Sequence, residues 1–290
     1  MRVGSALDGR ARVWRTAQAQ WSVIVPYHNE QHVLRRTLAS LAAQTVRPLV
    51  VLVDNASTDG SALVARQACD DFGLDALHLH EGRPGKVAAL QCGLRLVETP
   101  FVATCDADTV YPPTYLAEAT RLLARPGAVA AVAAYCDAAA PAHTARRAGW
   151  RMALTAWLLP QQCLNGGAGQ VFRTASLRRC GGFDPAIWNW VLEDHEIMAR
   201  LEREGRIVYG PRFVCHPESR PRAVNCTGWT LAEQLRYHLS RSRDRVGFFH
   251  RFLAPRLQQR ALHSEMLRRP ATPTRGSKTG LVRAGVPTGA

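Results

Sequence analysis

The chain has 290 residues, 47% of them hydrophobic, and a formal charge of +14 at neutral pH. That length suits one large α/β domain, with or without a small appendage, and the apolar share supplies a sizeable core. Fourteen of the 37 Lys/Arg but only four of the 23 Asp/Glu lie from Glu218 onward, so the basic charge belongs to a C-terminal segment. This argues against a nucleic-acid-binding surface spread over the fold.

Eight cysteines occur without any C-x-x-C pair, which reads as reduced, mostly buried thiols in a cytoplasmic protein. The first 20 residues form a flexible lead-in without the apolar stretch of a signal peptide. No apolar run approaches the roughly 18 residues that a membrane-spanning helix needs.

In chain order, Trp21 to Tyr27 is a short β-branched strand, and Asn29 is placed to cap the helix carrying Leu34, Leu38 and Leu41. Leu49 to Val53 is continuously apolar, as a strand buried on both faces should be. Asp54 to Gly60 is a polar turn in which Asp59 can cap the next helix. A third strand is expected over Leu74 to Leu79 and a helix over Lys86 to Val97. A fourth strand follows at Phe101 to Cys105, a helix opens at Pro112-Pro113, and a fifth strand is expected at Ala128 to Ala134.

This β-α alternation predicts a mostly parallel, doubly wound sheet with flanking helices. The second half is less regular. A helix is expected over Ala142 to Leu159, a glycine-rich turn at Asn165 to Gln170, and a strand at Val171-Phe172. Gly181 to Trp190 reads as a loop, Leu192 to Glu204 as a helix, and Arg206 to Tyr209 and Phe213 to Cys215 as strand fragments. From about Pro270 the tail is rich in Pro, Gly and Thr and reads as disordered.

In such sheets, ligands bind beyond the carboxyl ends of the strands. The polar residues there are Tyr27 to Glu30, Asp54 to Asp59, Glu81 to Lys86 and Asp106 to Asp108. Asp106 and Asp108, one residue apart at a strand exit, can share a hard divalent cation, although a solvated turn or helix cap is the simpler account of a D-x-D taken alone. Asp54 can accept from a base or ribose, or form an Asx-turn. Lys86, behind Gly85, can meet a phosphate at a helix start. Glu193 and Asp194 head a helix, where acids also serve merely to complement the dipole. His216 follows the strand fragment Phe213 to Cys215 and can complete a metal shell, although a lone histidine there is more simply a satisfied structural one.

Together, SVIVPYHNE, VDNASTDGS, GRPGKVAALQCGL, CDAD, GGFDP and EDHEIMARL resemble glycosyltransferase family 2 over Trp21 to about Pro217. The resemblance implies a GT-A fold with a Rossmann-like nucleotide-binding half (residues 21–135) and an acceptor-binding half (136–217). Residues 218–269 then form a basic amphipathic helical arm. Pro26, Tyr27 and Glu30 would line the nucleotide pocket, Asp54 would hold base or ribose, and Lys86 would lie near the diphosphate. Asp106 and Asp108 would bind Mn²⁺ or Mg²⁺, with His216 as a third ligand. Asp194 would be the catalytic base, supported by Glu193.

The implied activity is inverting transfer of a hexosyl or related unit from a nucleotide-diphosphate sugar to a carbohydrate or lipid-linked acceptor. Cell-envelope polysaccharide or glycolipid synthesis is the pathway the family suggests. Processive relatives carry Q-x-x-R-W before membrane helices. Gln234-Leu235-Arg236-Tyr237-His238 lacks it, so transfer of single sugars is expected. The alternative is a non-catalytic nucleotide-sugar-binding relative, against which the intact Asp106, Asp108 and Asp194 argue. Leu231 to Leu262 mixes apolar residues with arginines. It suits either peripheral contact with an anionic membrane at its inner face, or packing on the domain.

Overall fold

The computed structural model describes residues 19–137, 142–159, 162–218, 229–240 and 244–265. The expected flexible lead-in lies almost wholly outside these residues, and the expected disordered tail entirely so. The elements begin β1 (Trp21–Tyr27), α1 (Leu34–Ala42), β2 (Leu49–Asp54), α2 (Ser61–Phe72), β3 (Ala76–His80), α3 (Lys86–Leu94) and β4 (Phe101–Cys105). They continue with β5 (Thr109–Val110), α4 (Tyr115–Leu123), β6 (Ala128–Val132), β7 (Ala134–Tyr135), α5 (Ala142–Leu158), β8 (Gly169–Arg173) and α6 (Thr174–Arg179). Then come α7 (Glu193–Leu201), β9 (Arg206–Val208), β10 (Val214–Pro217) and α8 (Leu231–Leu239). Last, α9 (Arg245–Gly247) runs through a wider π-helical stretch (Phe248–Leu253) into α10 (Ala254–Gln259).

The main sheet has the order β3-β2-β1-β4-β8-β6-β9. The neighbours of β1 and β2, and the pair β6–β9, are parallel, while β8 runs antiparallel between β4 and β6. The apolar runs of β1 and β2 are buried because helices cover both faces, as a parallel sheet requires. Leu34, Leu38 and Leu41 give α1 one buried stripe. On the other face α3 comes so close to the sheet that a Cβ on Gly93 would lie 2.6 Å from Ile24 Cγ2. This contact sets where the head of α3, and hence Lys86, stands.

A second, three-stranded sheet has the order β5-β10-β7. The expected single strand at Ala128 to Ala134 is therefore two strands in two sheets. Two expected caps also differ. Asn29 adopts a left-handed conformation, and its Oδ1 accepts the Thr58 N–H at 2.8 Å, so it ties two loops together instead of capping α1. Asp59 accepts the Ser61 N–H at 2.9 Å at the head of α2, but the cap position itself is Gly60.

The C-terminal arm packs on the domain. Tyr237, Phe248, Phe249, Leu253 and Leu257 form a buried cluster with Trp188, Val191 and Ala199. Each such side chain contributes about 1.5–3 kcal/mol by leaving water. Polar ties reinforce it: Arg245 pairs with Glu202 in the interior, and His250 Nε2 lies 2.8 Å from Glu196 Oε1. The arm's aromatic residues are thus spent on internal packing, whereas Leu231, Leu235 and Leu239 of α8 face solvent. No helix among the described residues is long and apolar enough to cross a membrane. The seven cysteines among them are free thiols.

Candidate active site

Parallel register brings the strand exits together. Tyr27 at the end of β1 pairs with Asp54 at the end of β2, and β4 ends beside them at Cys105. Beyond these ends lies a cleft of about 350 Å³ whose walls include Pro26, Tyr27, Glu30, Asn55, Lys86, Asp106, Asp108 and Ser264. Six of the expected site residues therefore meet in one cleft. Asp54 is not among the residues lining it: its Oδ1 accepts the N–H of Ser57, three residues on, at 2.9 Å, and its Oδ2 lies 3.7 Å from His80 Nδ1. Asn55, next along, enters the wall and donates to Glu81 and Arg83 carbonyls at 2.9 and 2.7 Å. It thereby fixes the loop leading to Lys86.

Lys86 is the hub. Its Nζ donates to Asp106 Oδ1 at 2.6 Å and lies 3.6 Å from Glu193 Oε1. Burial works against its charge, but Asp106 and Glu193 more than offset this and hold its pKa above that of an ordinary lysine. Burial pushes Glu193 up to about 6, with Lys86 opposing and Asp194 adding to the rise. For Asp194 burial also favours the neutral acid, but His195 and then Lys86 outweigh it and keep the carboxyl below its usual range.

Asp194 is held asymmetrically. Its Oδ1 accepts from the His195 backbone N–H at 2.7 Å and lies 2.8 Å from His195 Nδ1. Its Oδ2 points toward the 165–170 turn, where a Cβ on Gly166 would sit 2.7 Å from it and 3.4 Å from the Tyr135 hydroxyl. Gln170 Nε2 donates to the Asp194 carbonyl at 3.1 Å, tying the head of α7 to β8.

Asp106 is fastened by Tyr111. That hydroxyl accepts the Asp106 N–H at 2.9 Å and donates to the Ala168 carbonyl at 2.6 Å. Asp108 is carried on the β5–β10 ribbon: its carbonyl accepts the Glu218 N–H at 3.0 Å, and His216 pairs with Val110 in register. His216 Nδ1 lies 3.1 Å from both Cys136 Sγ and the Cys136 carbonyl. Among the described residues no three His, Cys, Asp or Glu side chains converge tightly enough to hold an ion unaided. Asp106 and Asp108 nevertheless present hard oxygen donors to the same cleft, the donor type that Mg²⁺ and Mn²⁺ share with substrate phosphates. The chemistry of the residues present fits a cation whose shell the phosphates complete.

Sequence reasoning missed Tyr111, Tyr135, Gln170, His195 and Ser264. Ser264 arrives from a chain segment that no periodicity marks. Its Oγ lies 2.8 Å from Asn189 Oδ1, and it would clash with any Cβ on Gly85.

A mixed sheet in this order, with carboxylates and a lysine beyond its strand ends, defines the GT-A class of nucleotide-binding α/β folds. The sequence pattern of glycosyl transferase family 2 matches residues 22–181, more than half of the chain. The chain belongs to this family. The match stops short of Glu193 and Asp194.

Among related proteins, the undecaprenyl-phosphate 4-deoxy-4-formamido-L-arabinose transferase of Edwardsiella ictaluri is 33% identical over 97 residues, which cover 32% of this chain and 30% of that protein. The succinoglycan biosynthesis protein ExoU of Rhizobium meliloti is 33% identical over 97 residues, 33% of this chain and 28% of that one. The chain thus matches under a third of these relatives' length. A mannosyltransferase from Pyrobaculum calidifontis, solved with GDP-Man and Mn²⁺, superposes with a TM-score of 0.61 at 25% identity, covering 76% of this chain and 62% of that one. Staphylococcus aureus TarS 1-349, solved with UDP-GlcNAc, shares the fold at a TM-score of 0.53 and 17% identity, covering 81% and 71%.

Proposed function

We propose that the protein is an inverting, non-processive glycosyltransferase that moves one sugar from a nucleotide-diphosphate donor to an acceptor hydroxyl. The observation that carries this reading is the convergence of Asp106, Lys86, Glu193 and Asp194 from three separate elements. A binding protein needs the cation and the anion site but has no use for a second acid pair facing a glycine turn. The family membership and the GDP-Man and Mn²⁺ held by the P. calidifontis enzyme support the same reading.

In this reading the nucleoside lies against Pro26, Tyr27, Glu30 and Asn55 and is reached by Asp54, the strand partner of Tyr27. Asp106 and Asp108, with His216 from the adjoining strand, would hold a divalent cation, which supplies Lewis-acid stabilisation of charge on the diphosphate when bound. Lys86 stands where it can transfer its hydrogen bond from Asp106 to a phosphate oxygen and meet the charge developing on the leaving group. Asp194 keeps Oδ2 turned to the glycine turn, and its depressed pKa keeps it ionised. It takes the acceptor's proton as that oxygen attacks the anomeric carbon opposite the diphosphate. One displacement inverts the configuration. Glu193 sits between Lys86 and Asp194 and steadies both.

Envelope polysaccharide or glycolipid assembly is the setting that the relatives' names suggest. The experiment is a thermal-shift screen of nucleotide-diphosphate sugars with Mn²⁺ or Mg²⁺, followed by transfer assays on the stabilising donor. A donor bound a hundredfold above its Kd adds about 2.7 kcal/mol of stability. Stabilisation by no donor in the presence of either cation would refute the reading.

A further inference from the structure

Exposed large apolar side chains are not scattered over this protein. Of the ten among the described residues, seven lie on two helices: Trp150, Leu154, Trp157 and Leu158 on α5, and Leu231, Leu235 and Leu239 on α8. Trp157 is 74% exposed and Leu231 83%. On α5 they fall at helical spacing on one face, and Arg146, Arg147 and Arg151 are exposed on the same arc. The opposite face is committed: Met152 and Ala156 pack on the core, and Gly149 lets the helix rest on the Pro211 backbone. The outward orientation is therefore set by packing.

Charge identifies the counterpart. α5 contains no acidic residue. The one acid of α8, Glu233, is buried and paired with Arg260 at 3.0 Å, so neither helix offers solvent a free carboxylate. Tryptophans and leucines set among arginines, with no acid between them, match an anionic lipid headgroup layer over an acyl interior.

The two helices also converge on one opening. A groove of about 480 Å³ is lined by Arg151, Met152 and Thr155 of α5, His238 of α8, and Tyr135 and Asn165. Gln162 Nε2 donates to the His238 carbonyl at 3.0 Å, joining the helix ends beside it. Tyr135 carries the groove inward, since its hydroxyl and Asp194 Oδ2 flank Gly166.

We propose that the exposed faces of α5 and α8 dock the protein on an anionic bilayer, with the groove between them admitting an acceptor presented at the lipid surface. The role given to the groove rests on the glycosyl-transfer reading; the docking does not.

The test is flotation of the full-length protein with vesicles of phosphatidylcholine alone and of phosphatidylcholine mixed equally with phosphatidylglycerol. The protein should float with the anionic vesicles only. The triple variant Trp150→Ser, Leu154→Gln, Trp157→Ser should lose binding by about tenfold or more while keeping its melting temperature. The pair Arg146→Gln, Arg147→Gln should make the residual binding less sensitive to salt. Donor hydrolysis in vesicle-free solution should be unchanged in the triple variant, so a failure of docking is separable from a failure of the catalytic reading. Absence of flotation with anionic vesicles, or flotation that survives the triple substitution, overturns the proposal. So does a dimer, seen by light scattering, that the triple variant disperses while vesicles never bind, because a second copy then covers this face.

Discussion

Lys86 Nζ and Asp106 Oδ1 lie 2.6 Å apart, so a carboxylate expected to face a cation is neutralised by the protein's own lysine. The pair links the head of α3 to the exit of β4 and reaches onward to Glu193 on α7. Lys86 thus holds three acids that would otherwise repel one another in a half-buried site.

Lys86→Met should cost about 10²–10³ in kcat, the usual loss when one charge-stabilising donor is removed from a reaction centre. Donor affinity, read by calorimetry, should fall less than kcat. A variant that keeps near-normal turnover would place the diphosphate elsewhere.

Asp194→Asn should abolish transfer, by about 10²–10⁴-fold, and leave donor binding nearly intact. His195→Ala acts differently. It frees Oδ1 and removes the main influence depressing the Asp194 pKa. The acidic limb of the kcat/KM profile should then move to higher pH, with a smaller loss in kcat. An unmoved limb would deny His195 its positioning role.

How much of this was legible before the coordinates depended on how local the cause was. β1, β2 and β4 lie within a residue of their expected limits because continuous apolar runs reflect burial on both faces. The carboxylates that follow them are near neighbours in space for the same reason. Strands of two residues, such as β5 and β7, have no period to detect, so of the small sheet that holds His216 beside Asp108 only the central strand β10 was expected, as the fragment Phe213 to Cys215. The mixture of apolar residues and arginines over Leu231 to Leu262 left membrane contact and packing both open; α8 in fact buries Tyr237 and turns Leu231, Leu235 and Leu239 outward. The partner that decides this, the Trp188–Phe249 cluster, is assembled from distant segments. Asn29 satisfies a loop and not a helix end for a similar reason, since the Thr58 N–H competes for its side chain.

Glu193 makes stability fall with rising pH. Its folded pKa, about 6, is raised above the ordinary 4.5, so the folded state binds more protons than the unfolded chain between these values. Stability is therefore greatest below the lower value and declines as pH passes the upper one. Glu193→Gln should raise the stability at pH 8 relative to wild type, by up to about 2 kcal/mol at this size of shift, read by chemical denaturation. The gain should vanish near pH 4. A Gln variant that is less stable at pH 8 would mean that the Lys86 contact outweighs the burial of the charge.

Phe249 is wholly buried and meets the Trp188 ring edge-on at 5.6 Å. Phe249→Ala should cost about 3–5 kcal/mol by chemical denaturation. Because the same cluster seats the segment that carries Ser264 into the cleft, donor affinity should weaken as well. A destabilised variant with unaltered donor binding would detach the arm from the site.

Two glycines separate shape from stability. Gly73 closes α2 at φ 61°, with open space around a Cβ, so Gly73→Ala should cost about 1 kcal/mol or more of stability through backbone strain and leave turnover alone. Gly166 has no such backbone demand, but a Cβ there would press on Asp194 Oδ2 at 2.7 Å. Gly166→Ala should therefore lower kcat by about 10²-fold, the scale of a misplacement near 1 Å, with little change in melting temperature. Stability and turnover assays on both variants check the contrast. If Gly166→Ala turns over normally, Oδ2 does not face the acceptor, and the base must be sought elsewhere in the cleft.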